Sequence, residues 1–104
     1  MTTKKPVRVE YSRPGFRDLI ACGRWWREHH SSRSNALDDE FEAAIAFLKL
    51  NPEGAPQTQT RRYNDARSKV LLETGHVVIY RYLKSTRVIL ILGVFPSKAM
   101  PQRP

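Results

Sequence analysis

The chemistry open to this chain is cationic first and acid–base second. Arg61, Arg62, Arg67, Lys69, Arg81 and Lys98 all fall in its second half, and together they are suited to holding phosphate or another anion. Lys69 can act as a cation, or as a base if neighbouring charge lowers its pKa. His76 is the one residue of this group whose unperturbed pKa suits proton transfer near neutrality. It stands beside a turn, where a surface histidine without chemistry is an equal reading. Tyr63, Tyr80 and Tyr82 add rings on which bases can stack. A merely solvated basic face competes with all of this.

Arg81 poses the sharpest question, because it lies inside "HVVIYRYL" (76–83), a strand-forming apolar run. Strand alternation puts His76, Val78, Tyr80 and Tyr82 on one face and Val77, Ile79, Arg81 and Leu83 on the other. An unpaired guanidinium is costly to bury. Arg81 therefore either pairs with a neighbouring carboxylate or meets an anion or partner.

The bulk properties bound the answer. A chain of 104 residues makes one domain, 1–104, with a single two-layer core. Eighteen Lys and Arg against ten Asp and Glu give a net charge of +8, which suits a polyanionic or acidic partner. Residues 1–51 carry nine basic and seven acidic side chains and residues 52–104 nine and three, so the anion-facing surface is expected from the second half. Cys22 is a lone cysteine, as expected in a reducing compartment. No apolar run approaches the roughly 18–20 residues of a membrane span, and the opening Met-Thr-Thr-Lys-Lys-Pro has no apolar signal region behind it. A cytoplasmic protein with no membrane partner is the expectation. His29 and His30 are adjacent, no HExxH occurs and one cysteine builds no zinc site, so neither metal nor cofactor is expected.

The elements that must position these groups follow from periodicity. "VRVEYS" (7–12) alternates as a half-buried strand. Ser12 can cap a helix whose first turn tolerates Pro14, with Phe16, Leu19, Ile20, Gly23 and Trp26 on its inner stripe. Trp25 is then at the rim, as a packing lid or an interface anchor. After the polar break 29–35, Leu37, Phe41, Ala44, Ile45 and Leu48 define a second helix. Ser34 or a neighbouring serine can cap it, and Asn51-Pro52 stops it. Residues 53–66 read as a loop. Strands follow at about 67–73, 76–83 and 87–95. The expected fold class is α+β in two layers, a helical hairpin on one antiparallel sheet in the order β-α-α-β-β-β. In the last strand Val88, Leu90, Leu92 and Val94 point one way and Ile89, Ile91 and Phe95 the other. Both faces are apolar, so a second chain is expected to cover part of one.

This architecture resembles the RelE/ParE superfamily of toxins from type II toxin–antitoxin systems. The resemblance spans nearly the whole chain. It includes the helix end "A-x-x-x-L-x-x-N-P" (Ala44, Leu48, Asn51, Pro52), the glycine turn, the "Y-R" of the next strand and the final apolar strand. It implies a growth-inhibiting protein neutralised by a cognate antitoxin that wraps an apolar helix and an extended segment around it. Trp25, Ile89, Ile91 and Phe95 are then the antitoxin-binding candidates. RelE-like members cut mRNA on the ribosome with Lys, Arg and Tyr or His residues, for which Lys69, His76, Arg81 and Lys98 are the candidates here. ParE-like members lack that set and poison DNA gyrase. Val77 stands where RelE-like proteins tend to carry arginine, and the tail "PSKAMPQRP" holds Lys98 and Arg103 but no Tyr or His. The preference is therefore for the ParE-like branch, with no catalytic residue and Arg61, Arg62, Arg67, Lys69, Arg81 and Lys98 as the toxic surface. A non-toxic basic nucleic-acid-binding module is the further alternative.

Overall fold

A computed structural model describes residues 6–99 of the chain; Arg103 of the expected basic tail lies outside them. Strand β1 (Arg8–Tyr11) leads into helix α1 (Arg13–His29), and a 3₁₀ turn (Ser31–Arg33) joins it to helix α2 (Ala36–Leu50). Strands β2 (Gln57–Thr58), β3 (Ala66–Leu71), β4 (His76–Leu83) and β5 (Val88–Pro96) follow, and a 3₁₀ turn covers Ser97–Ala99. The two helices pack on a five-stranded sheet of order β1-β5-β4-β3-β2. The three long strands form the expected antiparallel meander, but β1 runs parallel to β5 and a two-residue β2 extends the edge, so the sheet is mixed.

Local chemistry explains the helix ends. Ser12 Oγ accepts the Gly15 N–H at 3.1 Å, capping α1 just ahead of Pro14. Helix α2 has Asn35 at its N-cap with no side-chain bond, rather than a serine. Asp38 and Asp39 in its first turn complement the helix dipole, and it ends at Leu50, before Asn51-Pro52. Tyr80, fully buried, donates its hydroxyl to Pro52 O at 2.8 Å and ties the end of α2 to the sheet. Glu40 ties the other side, accepting the N–H groups of Glu73 and Thr74 and the Thr74 hydroxyl.

Helix α1 also acts as a sheet edge. β1 covers β5 only as far as Ile91, and from there α1 takes over. Ser12 N–H donates to Ile91 O, Val94 N–H donates to the Asp18 carboxylate at 3.3 Å, and Cys22 Sγ lies 3.4 Å from Val94 O. This tight approach rotates α1 relative to the expected stripe. Gly15, Cys22, Gly23 and Trp26 are buried, whereas Phe16 and Ile20 are 55% and 45% exposed.

A bulge in β5 removes the puzzle of its two apolar faces. Ile79 pairs with Gly93 and Tyr80 with Ile91, leaving Leu92 as the extra residue. Ile89, Ile91 and Val94 all join the core beneath the helices. On the other face Leu92 and Phe95 pack with Ala66, Val77, Ile79 and Tyr63. The chain thus covers much of that face with its own loop, contrary to the expectation that a second chain must do so. Ile89 and Ile91 are 0% exposed and are not partner-binding residues.

Candidate functional site

The face of the sheet away from the helices is crossed by a strap, residues 59–65, which carries two arginines at its tip. Thr60 and Tyr63 close the strap into a tight turn. The Thr60 N–H and hydroxyl both reach Tyr63 O, at 2.9 and 3.1 Å, and Tyr63 N–H donates to Thr60 Oγ1 at 3.0 Å. Arg61 and Arg62 are the two central, exposed residues of that turn. Asp65 anchors the strap's C-terminal side through two bonds from Arg81, at 2.9 and 3.0 Å. The Arg81 guanidinium also lies 4.5 Å from the Tyr63 ring centroid, and that of Arg62 5.9 Å. The bonded guanidinium holds the Asp65 carboxyl below the usual carboxylate range. Arg81 therefore faces water on the open face and is paired, which answers the question its position raises.

Between strap, β5 and the start of α1 opens a cleft of about 330 Å³. Its floor is Ile79, Leu92, Gly93 and Phe95; its rim carries Arg61, Arg62, Thr58 and Thr60 from the strap side, and Ser12 and Asp18 from α1. Such a mixture of apolar floor and a few polar groups is what a binding cleft requires. Arg61 and Arg62 make it attractive to anions.

The expected basic surface does not assemble as one. Only Arg61, Arg62 and Arg81 meet on the open face. Arg67 and Lys69 have the opposite strand parity. Arg67 donates to Glu53 O and Ala55 O, at 3.1 and 2.7 Å, and pins the loop after α2. Lys69 Nζ lies 4.9 Å from the Phe47 ring centroid of α2. Lys98 is exposed in the turn after β5 and does not line the cleft. Phe95 belongs to the cleft floor, and Trp25 is 47% exposed and stacked on His29 at 4.2 Å. Asp18 and Asp65 are site residues that sequence reasoning missed. Asp65, two residues beyond an Arg-Arg-Tyr run, was the detectable one.

His76 is not a surface histidine but lies on the helix side, 2% exposed. Its Nδ1 is 3.1 Å from Thr74 O, its ring meets Trp26 edge-on at 6.1 Å, and its Nε2 is buried with no hydrogen-bond partner among the described residues. Burial pushes its pKa down, against the opposing pull of the Thr74 carbonyl and of Glu40. The unfolded chain takes up this proton near about 6.5, the folded chain only at lower pH. Between those values the unfolded state binds more protons, so the stability tied to neutral His76 is complete above the unfolded pKa and is lost as pH falls below it. His76→Leu should flatten that dependence: between pH 7.5 and 5 its melting temperature should fall less than that of the parent. Equal slopes would mean that His76 does not carry the effect. Any activity of the cleft should survive in a folded His76 variant, since the ring is on the opposite face of the sheet.

The Arg81–Asp65 pair gives a second prediction. Arg81→Met should loosen the strap and weaken any cleft-dependent activity by about tenfold, the worth of one charge-assisted contact. Asp65→Asn should do the same, and a full-strength Arg81→Met protein would show that the pair does not hold the strap in its working position.

Among the described residues no helix is long and apolar enough to cross a membrane. Nor does any group of three or more His, Cys, Asp or Glu side chains among them converge as a metal site. No family model matches the sequence, and no curated protein matches it. Solved structures do match. The isolated E. coli RelE toxin superposes with a TM-score of 0.59 at 14% identity, over 94% of this chain and 87% of that one. A doubly substituted E. coli RelE in the free state gives 0.58 at 15% identity, over 92% of this chain and 88% of that one. The fold, two helices on a five-stranded mixed sheet, is therefore RelE-like.

Proposed function

We propose that this protein is a growth-inhibiting toxin of a type II toxin–antitoxin module, acting in the cytoplasm through the strap and cleft on the open face of its sheet. The observation that carries this reading is the pairing of a RelE-like fold with two exposed arginines on a pinned turn beside a cleft. A cognate antitoxin is the partner that keeps such a protein silent. Within the superfamily, the cleft favours binding over turnover. It offers cations, hydroxyls and one carboxylate, that of Asp18, which already accepts the Val94 N–H, and none of the chain's three histidines lines it. DNA gyrase is accordingly the target in this reading, engaged by Arg61 and Arg62 without a chemical step.

The fold itself favours a second reading, since the matching structures are of RelE. There the protein is a ribosome-dependent mRNA endoribonuclease. Arg61 and Arg62 would hold the scissile phosphate and stabilise its charge, while Tyr63 or Asp18 at the cleft would move protons. Induction in cells without an antitoxin separates the two. Gyrase-linked DNA breaks with intact mRNA support the first reading, and ribosome-dependent mRNA cuts with intact DNA support the second. Unimpaired growth at high soluble expression would sink both and leave a non-toxic basic nucleic-acid-binding module.

A further inference from the structure

We infer that the cleft on the open face takes a free guanine nucleotide, with the edge of its base at Asp18 and its phosphate at Arg61 and Arg62. The charges of the cleft stand on opposite sides. Asp18 is the one carboxylate among its lining residues and comes from α1, while Arg61 and Arg62 come from the strap. Neither end is used up by the fold. Asp18 Oδ2 accepts the Val94 N–H at 3.3 Å, and Oδ1 accepts no hydrogen bond among the described residues. Arg61 and Arg62 reach no carboxylate among them, whereas Arg81 is paired with Asp65. A simple anion would be repelled by Asp18 and a simple cation by the arginines. The occupant therefore carries hydrogen-bond donors at one end, an anionic group at the other and an apolar body between them.

The floor suits a flat ring. A Cβ at Gly93 would stand 3.3 Å from Asp18 Oδ2 and 3.3 Å from Phe95 Cε1. The glycine thus keeps clear a notch bounded by a carboxylate and an aromatic edge. A base seated there lies over Leu92 and Ile79 with its polar edge at Asp18. The hydrogen-bond pattern then selects which base. Guanine presents two adjacent donors, N1–H and the C2 amino group, to the two oxygens of a carboxylate. Adenine and cytosine place a ring acceptor beside their amino group, and the N–H of uracil lies between two carbonyls. Each of these turns a lone pair toward Asp18.

Charge and size select a free nucleotide over one inside a chain. A terminal phosphate monoester carries a charge of about −1.5 to −2 at neutral pH, which matches the paired guanidiniums of Arg61 and Arg62. The diester of an RNA chain carries a single charge. A cleft of about 330 Å³ is at the small end of ligand sites, which run from roughly 300 to 1,000 Å³. Occupancy would cover the arginines through which the proposed toxin acts, making the nucleotide its inhibitor. That consequence rests on the toxin reading; the binding itself does not.

The test is calorimetric titration of the full chain with guanosine monophosphate. Saturable binding is expected, at least about tenfold tighter than for the adenosine, cytidine or uridine monophosphate, for guanosine or for inorganic phosphate. Asp18→Asn keeps an oxygen for the Val94 N–H but replaces one acceptor by a donor. It should weaken guanosine monophosphate by about tenfold or more, and it should strengthen xanthosine monophosphate, whose C2 carbonyl accepts from the new amide. Arg61→Gln with Arg62→Gln should reduce guanosine monophosphate to the affinity of guanosine and leave guanosine itself unchanged. Both arginines are exposed, so this variant folds even if the Asp18 one does not. No saturation by about 1 mM, equal binding of the four monophosphates, or indifference to either variant overturns the inference. So does a short oligouridine RNA with one central guanosine that binds about tenfold tighter than the mononucleotide, since an RNA chain is then the occupant. No arm reads growth, so absent binding leaves the toxin reading standing, and a non-toxic protein that binds the nucleotide leaves this inference standing.

Discussion

Reversing both strap charges, Arg61→Glu with Arg62→Glu, should abolish growth inhibition while leaving the protein folded. Both side chains are exposed, and the only described contact between them and the fold is the distant one of Arg62 with the Tyr63 ring. Exposed substitutions of this kind usually move stability by less than about 0.5 kcal/mol. Binding is a different matter. A hydrogen bond to a charged group is worth about 1.5–3 kcal/mol, so losing two such bonds should weaken target engagement by more than about a hundredfold, before repulsion is counted. The measurement is growth after induction, with soluble level and melting temperature recorded for each variant. Lys69→Gln is the control, because Lys69 lies on the helix side over Phe47. If the double variant remains toxic and Lys69→Gln does not, the working surface has been assigned to the wrong face.

That control exposes the limit of reading a basic cluster from sequence. Arg67, Lys69 and Arg81 look equivalent along the chain, yet strand parity sends the first two beneath the helix layer and the third to the open face. Parity relative to the core is fixed only once β3 and β4 are paired, Lys69 against Val78 and Arg67 against Tyr80. Local signals were enough for much else. The Ser12 cap, the stop at Asn51-Pro52 and the limits of β4 follow from residues within one turn or one strand of each other. Longer-range features were not legible. The parallel pairing of β1 with β5 joins residues far apart in sequence, and two residues of β2 are too few to show a period. The bulge at Leu92 inverts the alternation of β5 halfway along, so Val94 joins Ile89 and Ile91 in the core and Leu92 faces the cleft. Without that inversion the strand's second face looked like an interface.

The rotation of α1 was hidden for a related reason. Phe16 and Ile20 are large and apolar, so periodicity placed them inward. The true inner line runs through Gly15 and Cys22, whose small size carries little hydrophobic signal but permits the helix to lie against the edge of β5. A Cβ at Gly15 would collide with the backbone carbonyl of Ile91. Neither side of that contact is a flexible side chain, so the helix itself would have to move. Movement would disturb the Ser12 N–H to Ile91 O bond, the Val94 N–H to Asp18 bond and the Cys22 contact with Val94 O. Overpacking costs about 1–3 kcal/mol, and each buried hydrogen bond lost adds roughly 1 kcal/mol. Gly15→Ala should therefore destabilise the protein by about 3 kcal/mol, which lowers the melting temperature by roughly 15 °C for a domain of this size. The opposing effect, the better helix propensity of alanine, is worth at most about 1 kcal/mol and does not reverse the sign. Gly23→Ala is the matched comparison, since the nearest atoms to a Cβ there belong to the Arg27 guanidinium, the first at 3.2 Å, and that side chain can move at the cost of its exposed 3.5 Å contact with Asp38. Thermal melts of the two variants should separate clearly, with Gly23→Ala close to the parent. Equal melting temperatures would show that α1 does not need its close seat on β5.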